Sequence, residues 1–265
     1  MVIDFHTHVF PEKMVAGAVK TLEEKSGVPA KTNGCIDGLL ASMKEAGVTR
    51  SIVLPVVTAP KQFSGINRFA ASINEEYSDC LTSFGGIHPD SEDYKAQLKF
   101  LRDEGFVGIK LHPDYQGVMF NDIRYKRIVD YASELDMVIQ VHAGVDIGLP
   151  EPVHCTPKMA LEVISETGAK KLVLAHLGGW KLWDEVEESL AGRDVYFDTA
   201  FIEDYIDRQQ FERIVKTHGS DRVLFATDSP WSGQKESIDW INACDLDDET
   251  KEKIFYKNAK KLLGI

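Results

Sequence analysis

Eight short apolar runs, rich in β-branched or aromatic residues, recur along the chain at residues 2–6, 51–57, 82–87, 107–112, 137–142, 171–176, 194–199 and 222–227. Between most of them apolar positions return at helical spacing, over residues 91–104, 123–135, 157–167, 183–190 and 206–217. Breakers stand before the strands, at Glu104-Gly105, Thr167-Gly168, Ala191-Gly192 and His218-Gly219. Alternation of strand and helix predicts parallel β-structure with right-handed crossovers, and eight repeats predict an α/β fold closed into a (β/α)8 barrel. The pattern assigns all of residues 1–265 to one such domain. The spacing is uneven only in the first connection, 10–50, which must hold more than one helix. That segment follows the first strand, so it belongs over the C-terminal mouth of the barrel and is a candidate lid. A last helix over 248–263 is expected to pack outside the barrel. An open doubly wound sheet would need a glycine-rich phosphate loop, and Gly85-Gly86 and Gly178-Gly179 lack that spacing.

Composition adds exclusions. At 43% hydrophobic and 27% charged residues, the chain can bury a core without disulfides or a structural metal. Its four cysteines, Cys35, Cys80, Cys155 and Cys244, form no C-x-x-C pair and read as thiols in a reducing cytoplasm. The opening Met1-Val2-Ile3-Asp4 is unlike a signal peptide, and no stretch approaches the ~18 apolar residues of a membrane span. Thirty basic against 42 acidic residues leave a net charge of −12. Without a basic stripe to override it, that charge argues against nucleic acid and anionic membranes as partners and leaves a small molecule as the expected one.

Polar residues collect where the strands end. The first run closes on Asp4-Phe5-His6-Thr7-His8, and i and i+2 share a strand face, so His6 and His8 can reach one ion. The fifth ends in Gln140-Val141-His142, the sixth in Leu174-Ala175-His176 and the eighth in Ala226-Thr227-Asp228. Alternation turns Ile3, Phe5, Ile139, Val141, Val173, Ala175, Val223 and Phe225 towards the helices, and the histidines and Asp228 towards the lumen. A lone strand-end histidine is more often a hydrogen-bonded rim residue. Five metal-capable side chains at the carboxyl ends of four strands, where barrel active sites lie, are a stronger signal. Lys110 alternates inward between Ile109 and Leu111, and a lumenal lysine needs a partner. His112 shares its phase and is a substrate-binding candidate. Trp231 and Trp180 follow site-bearing strands and are pocket-wall or rim residues. His88 reads as a strand-end turn, His154 and His218 as surface residues, and Arg68, Arg124 and Gln116 receive no role.

The run Val2-Ile3-Asp4-Phe5-His6-Thr7-His8, followed by Gly108-Ile109-Lys110-Leu111-His112-Pro113, Val141-His142-Ala143-Gly144, Ala175-His176-Leu177-Gly178-Gly179 and Phe225-Ala226-Thr227-Asp228-Ser229-Pro230-Trp231, resembles the amidohydrolase superfamily. It is most similar to the amidohydrolase 2 group, which includes aminocarboxymuconate-semialdehyde decarboxylase. The closing Ile254-Phe255-Tyr256-Lys257-Asn258-Ala259 resembles that group's final helix.

The resemblance implies that His6, His8, His142 and Asp228 bind a divalent ion, with zinc expected from three imidazoles and a carboxylate. His176 is then a catalytic group beside the ion or a ligand of a second one. Lys110 either stays cationic and holds a substrate carboxylate, with one ion per chain, or is carboxylated and bridges two. The mononuclear form is favoured because that group is mostly mononuclear. Asp228 holds the ion and also moves the proton. The implied activity is that of a metal-dependent hydrolase, using a metal-activated water on a small amide, ester or lactone. The alternative is a non-oxidative decarboxylase on a small carboxylated substrate. A TatD-type nuclease is opposed by Lys110, where that branch has glutamate, and by the charge of −12. The ligand set opposes a non-catalytic barrel, and a homodimer is a family expectation only.

Overall fold

Eight strand positions are built from nine short segments: β1 (Ile3–Thr7), β2 (Arg50–Val53), β3 (Leu81–Ser83), β4 (Gly85–Gly86), β5 (Gly108–Leu111), β6 (Val138–Val141), β7 (Leu172–Leu174), β8 (Tyr196–Asp198) and β9 (Val223–Leu224). The computed structural model describes all 265 residues. β3 and β4 are halves of one strand position interrupted at Phe84, whose amide still donates to Val53 O at 2.9 Å. Every pairing is parallel and runs in sequence order. The first and last strands meet: Phe5 N donates to Phe225 O at 2.8 Å, Asp228 N to His6 O at 2.8 Å and His8 N to Ser229 O at 2.6 Å. These bonds close the sheet, so the fold is the (β/α)8 barrel that the eightfold pattern predicts.

Apolar residues fall into shells inside and outside that cylinder. Ile109, Leu111, Ile139, Val141, Leu172 and Leu174 pack outward against helix residues such as Leu101, Ile128, Val163 and Ile214. A separate inner cluster joins Ile3, Phe5, Ile52, Leu54, Phe84, Val138, Val173, Leu224 and Ala226. Strict alternation is therefore wrong for Ile3, Phe5 and Val173, which face inward. Along β1 the register against β2 shifts between Asp4 and Thr7, a bulge that lets consecutive residues share a face. Asp4 turns away to Thr227 Oγ1 at 2.7 Å and Gln234 Nε2 at 2.8 Å, while Phe5 and His6 both point to the lumen. After β7 the backbone leaves the strand conformation, with φ of 57° at both His176 and Leu177, and this carries His176 back over the mouth.

The long first connection holds α1 (Glu12–Ser26) and α2 (Ile36–Ala46). α2 buries Leu39 and Met43 against Val53, Ile73 and Leu81, so it is an ordinary outer helix of the barrel. α1 buries none of its residues and lies over the mouth, opposite α3 (Phe63–Glu76). The final helical segment does not simply lie outside. Ala259 and Leu262 join the inner cluster, and Asn258 Nδ2 donates to Val223 O at 2.8 Å, so this helix plugs the N-terminal end of the lumen. Periodicity identified its apolar face but not the surface that face covers. No helix is long and apolar enough to cross a membrane.

Candidate functional site

At the C-terminal mouth β1 brings His6 and His8 onto one side, and the loop after β9 brings Asp228 to meet them. His6 Nε2 lies 3.1 Å from His8 Nε2, and Asp228 Oδ1 lies 3.3 Å from the first and 3.0 Å from the second. The outer nitrogens settle the tautomers. His8 Nδ1 is 2.7 Å from the carbonyl oxygen of Leu54, which can only accept. His6 Nδ1 is 2.9 Å from Asp198 Oδ2. Asp198 is the acceptor there, because both its oxygens also receive N–H groups: the amides of His176 (2.8 Å) and Ala200 (3.0 Å) and the side-chain amide of Gln140. Both histidines thus donate from Nδ1, and in their neutral form each turns an Nε2 lone pair to the centre. Burial drives His6 well below the usual imidazole range, so it is neutral at pH 7. Two lone pairs and a carboxylate oxygen, all acceptors, therefore converge with too few hydrogens between them. Nitrogen and oxygen atoms bound to one ion at about 2.0–2.2 Å sit at comparable mutual distances. These residues fit a divalent cation.

Lys110, from β5, supplies the one hydrogen donor at this point: its Nζ is 3.0 Å from His6 Nε2. Burial pushes its amine down to about 8, against the pull of Asp228 and Asp198. Asp228 has a φ of 66° and His176 one of 57°, in the left-handed region that non-glycine residues rarely occupy. Both therefore stand at sharp departures from their strands, aimed into the mouth.

His142 is placed differently from the other expected ligands. His176 donates Nδ1–H to Ala200 O at 2.8 Å, so its Nε2 accepts from His142 Nδ1 at 3.0 Å. His142 Nε2 then carries a lone pair with no hydrogen-bond partner, 3.8 Å from Asp114 Oδ2 and 3.9 Å from Asp146 Oδ2. The structure groups His142 with His112 and Asp146, apart from His6, His8 and Asp228. His112 stacks on it with ring centroids 4.2 Å apart. Burial pushes Asp146 up to about 6, with Asp114 adding to the effect.

These groups floor a cavity of about 620 Å³, whose walls include Tyr115, Trp180, Phe201 and Trp231. Trp231 and His112 thus both line it, as does Trp180, whose indole donates to Phe201 O at 3.0 Å. Lys110 is the only lysine or arginine among the lining residues.

The sequence reading missed Asp198, Asp114 and Asp146. Asp198 carried a usable signal, an acid at the inward phase near the end of the seventh run. Asp146 is four residues beyond His142, on a loop that no periodicity describes. Two histidines read as surface residues are not. His218 is buried, stacked on Phe197 at 3.9 Å between centroids, and its Nε2 donates to Val195 O at 2.8 Å. His154 reaches inward to Asp114 Oδ1 at 3.0 Å. His88 does make a strand-end turn, accepting from Asp90 N at 3.1 Å. Gln116 is structural, donating to Val57 O and Ile87 O at 2.8 Å each, and Arg124 pairs with Asp90 and Asp122 on the surface.

The family model described as amidohydrolase matches residues 3–265. No curated protein sequence matches significantly. Among solved structures, an uncharacterised TIM-barrel protein from Bordetella bronchiseptica superimposes with a TM-score of 0.79 at 17% identity, covering 99% of this chain and 98% of that one. The 2,6-dihydroxybenzoate decarboxylase from Rhizobium gives 0.72 at 18% identity, with 99% and 98% covered. A dihydroxybenzoic acid decarboxylase from a Polaromonas species, holding manganese and the inhibitor 2-nitroresorcinol, gives 0.74 at 16% identity, with 99% and 96% covered.

Proposed function

Because the chain belongs to the amidohydrolase family, we propose that it is a metal-dependent decarboxylase that removes a carboxylate from a small substrate. The observation that carries the proposal is the convergence of His6 Nε2, His8 Nε2 and Asp228 Oδ1 beside the solitary buried cation Lys110. Between the two activities that the sequence suggests, likeness to proteins named decarboxylases favours the lyase over the hydrolase.

His6, His8 and Asp228 would hold the divalent ion. His142, the fourth ligand expected from the sequence, stands with His112 and Asp146 apart from these three, and its unpartnered Nε2 would join them only after the ring turns away from Asp114 and Asp146. Imidazole and carboxylate donors suit zinc as well as manganese, the ion of the Polaromonas enzyme. When bound, the ion supplies positive charge that orients an anionic substrate and stabilises charge developing next to it. Asp198 fixes His6 with Nε2 outward, and Leu54 O fixes His8 in the same sense. Lys110 offers an ammonium hydrogen to the substrate carboxylate in a cavity otherwise without lysine or arginine.

Decarboxylation breaks one carbon–carbon bond, leaves its electron pair on the remaining carbon and ends when a proton reaches that carbon. Asp228, at the centre of the floor, is the proposed proton relay: it would take a proton from a solvent water and pass it to that carbon, ending as the carboxylate it began as. His176 would hold a substrate hydroxyl through Nε2 in place of the hydrogen it now accepts from His142 Nδ1, with its Nδ1–H kept on Ala200 O. Trp180, Phe201 and Trp231 exclude water from the wall above.

The test is a panel of hydroxylated benzoates, 2,6-dihydroxybenzoate among them, assayed with added manganese or zinc for carbon dioxide and for oxygen-18 uptake from labelled water. Carbon dioxide without label in the product is expected, and Asp228→Asn should abolish it with the unfolding midpoint little changed. Cleavage of amide, ester or lactone substrates with label uptake and no carbon dioxide would assign the hydrolase instead.

A further inference from the structure

The cavity is far from uniform. Its floor is polar, but its outer half is roofed by α1, where Met14, Ala18 and Leu22 recur every fourth residue and form one stripe. Across the gap stand Ile66 and Phe69 of α3, with Phe10, Val28 and Val56 at the sides. The stripe is aimed, because the adjacent face of α1 is already seated. Val15 and Val19 lie on Gly34, where an added Cβ would come within 2.8 Å of Val19 Cγ2. That seat needs a residue without a side chain, and it turns Met14, Ala18 and Leu22 towards the cavity. No residue of α1 is fully buried: Met14 is 64% exposed and Ala18 and Leu22 are half-buried, so the stripe is only partly covered by protein.

Size and charge limit what can cover it. A cavity of about 620 Å³ falls in the range of roughly 300–1,000 Å³ typical of sites for drug-sized ligands. A single carboxylated ring placed on the floor leaves the outer half empty. Lys110 is the only lysine or arginine in the lining, and Asp146 and Asp228 add negative charge. A substrate with several carboxylates is therefore poorly matched.

We infer that the site takes an amphiphilic monocarboxylate whose acid head meets the histidine and lysine floor and whose apolar arm, an alkyl chain or a second ring, lies between α1 and α3. The inference rests on the proposed reading only in placing the head on the same floor. It assigns α1 a specificity role, since the arm would cover the apolar surface that the protein leaves exposed on the roof.

The experiment titrates the protein as purified with a series of straight-chain carboxylates from butanoate to decanoate, read by calorimetry and by the fluorescence of Trp180 and Trp231. Affinity should rise roughly three- to fourfold per methylene buried between the helices, over several methylenes. Ala18→Trp, which fills the gap, and Leu22→Asn, which removes apolar contact, should each at least halve the slope of log affinity against chain length. Lys20→Gln, on the exposed outer face of α1, should leave that slope unchanged. Affinity that is flat from butanoate to decanoate, or slopes that survive both inward substitutions, would overturn the inference. Binding needs no turnover, so the two readings fail separately. Carbon dioxide release from small benzoates with flat chain-length binding sinks the apolar arm alone, whereas steep binding without carbon dioxide sinks the decarboxylase alone.

Discussion

Asp198→Asn separates what orients the metal group from what holds the barrel. The carboxylate takes four hydrogens: the His176 and Ala200 amides on Oδ1, and His6 Nδ1 and the Gln140 amide on Oδ2. An asparagine keeps an oxygen for the two backbone amides and places an NH2 group opposite His6 and Gln140. Gln140 can turn its amide to accept, because its Oε1 has no partner in the present arrangement. His6 can accept at Nδ1 only by moving its hydrogen to Nε2, the atom that faces His8, Asp228 and Lys110. The lone pair at the centre is then gone while side-chain volume is almost unchanged. Loss of a carboxylate behind a histidine ligand typically costs 10- to 100-fold in metal affinity, or about 1.4–2.8 kcal/mol. Stability should move by less than about 1 kcal/mol, since each buried donor keeps an acceptor. Asp198→Ala instead strands four protein N–H groups at about 1–3 kcal/mol each and should lose at least about 4 kcal/mol. Titration with manganese and zinc, beside urea unfolding of the same samples, distinguishes the two. The reasoning is refuted if Asp198→Asn binds either ion within twofold of wild type, or if it unfolds as readily as the alanine variant.

Gly144→Ala should cost at least about 2 kcal/mol in urea unfolding, because Gly144 has a φ of 89° and a Cβ there would lie 2.0 Å from Trp180 N. That neighbour is backbone and cannot turn aside, so unchanged stability would refute the local packing. His218 titrates without touching the mouth: burial lowers it from 6.5 to about 4, so the unfolded chain takes up its proton first on acidification. Its contribution to stability is present above pH 6.5 and is lost as pH falls towards 4, about 2 kcal/mol of it by pH 5. Between pH 7 and 5 the His218→Gln variant should therefore lose less stability than wild type, and parallel profiles would contradict this.

The barrel was legible because its signal is carried eight times over, so one ambiguous segment such as the strand broken at Phe84 cannot erase it. The residues at the mouth were legible for a similar reason: strand ends map to one face of the fold, and His6, His8, His176, Lys110 and Asp228 all reach it. Direction was harder to read than position. Phe5 and Val173 defeated alternation because a bulge and a left-handed turn reset the phase, and neither has a period. His142 sits at the expected strand end, but its orientation is set by a hydrogen bond to His176 and by the stack of His112, which come from other strands. Asp198 bears on His6 across 192 positions of sequence, a relation that exists only once the barrel has closed.

The seam between β1 and β9 has a further consequence for how the chain matures. Phe5 waits for Phe225, and the inner cluster waits for Ala259 and Leu262, so a ribosome must deliver the chain through Leu262 before the cylinder is shut and plugged. Until then the nascent chain is an open trough with two raw strand edges and an unplugged apolar interior, the type of surface that recruits chaperones or sticks to its neighbours. A stall or a frameshift between codons 232 and 258 would release an aggregation-prone chain with every lining residue of the mouth already made, and a destabilised helix at Asn258–Leu263 would reduce yield in the cell before it touched chemistry.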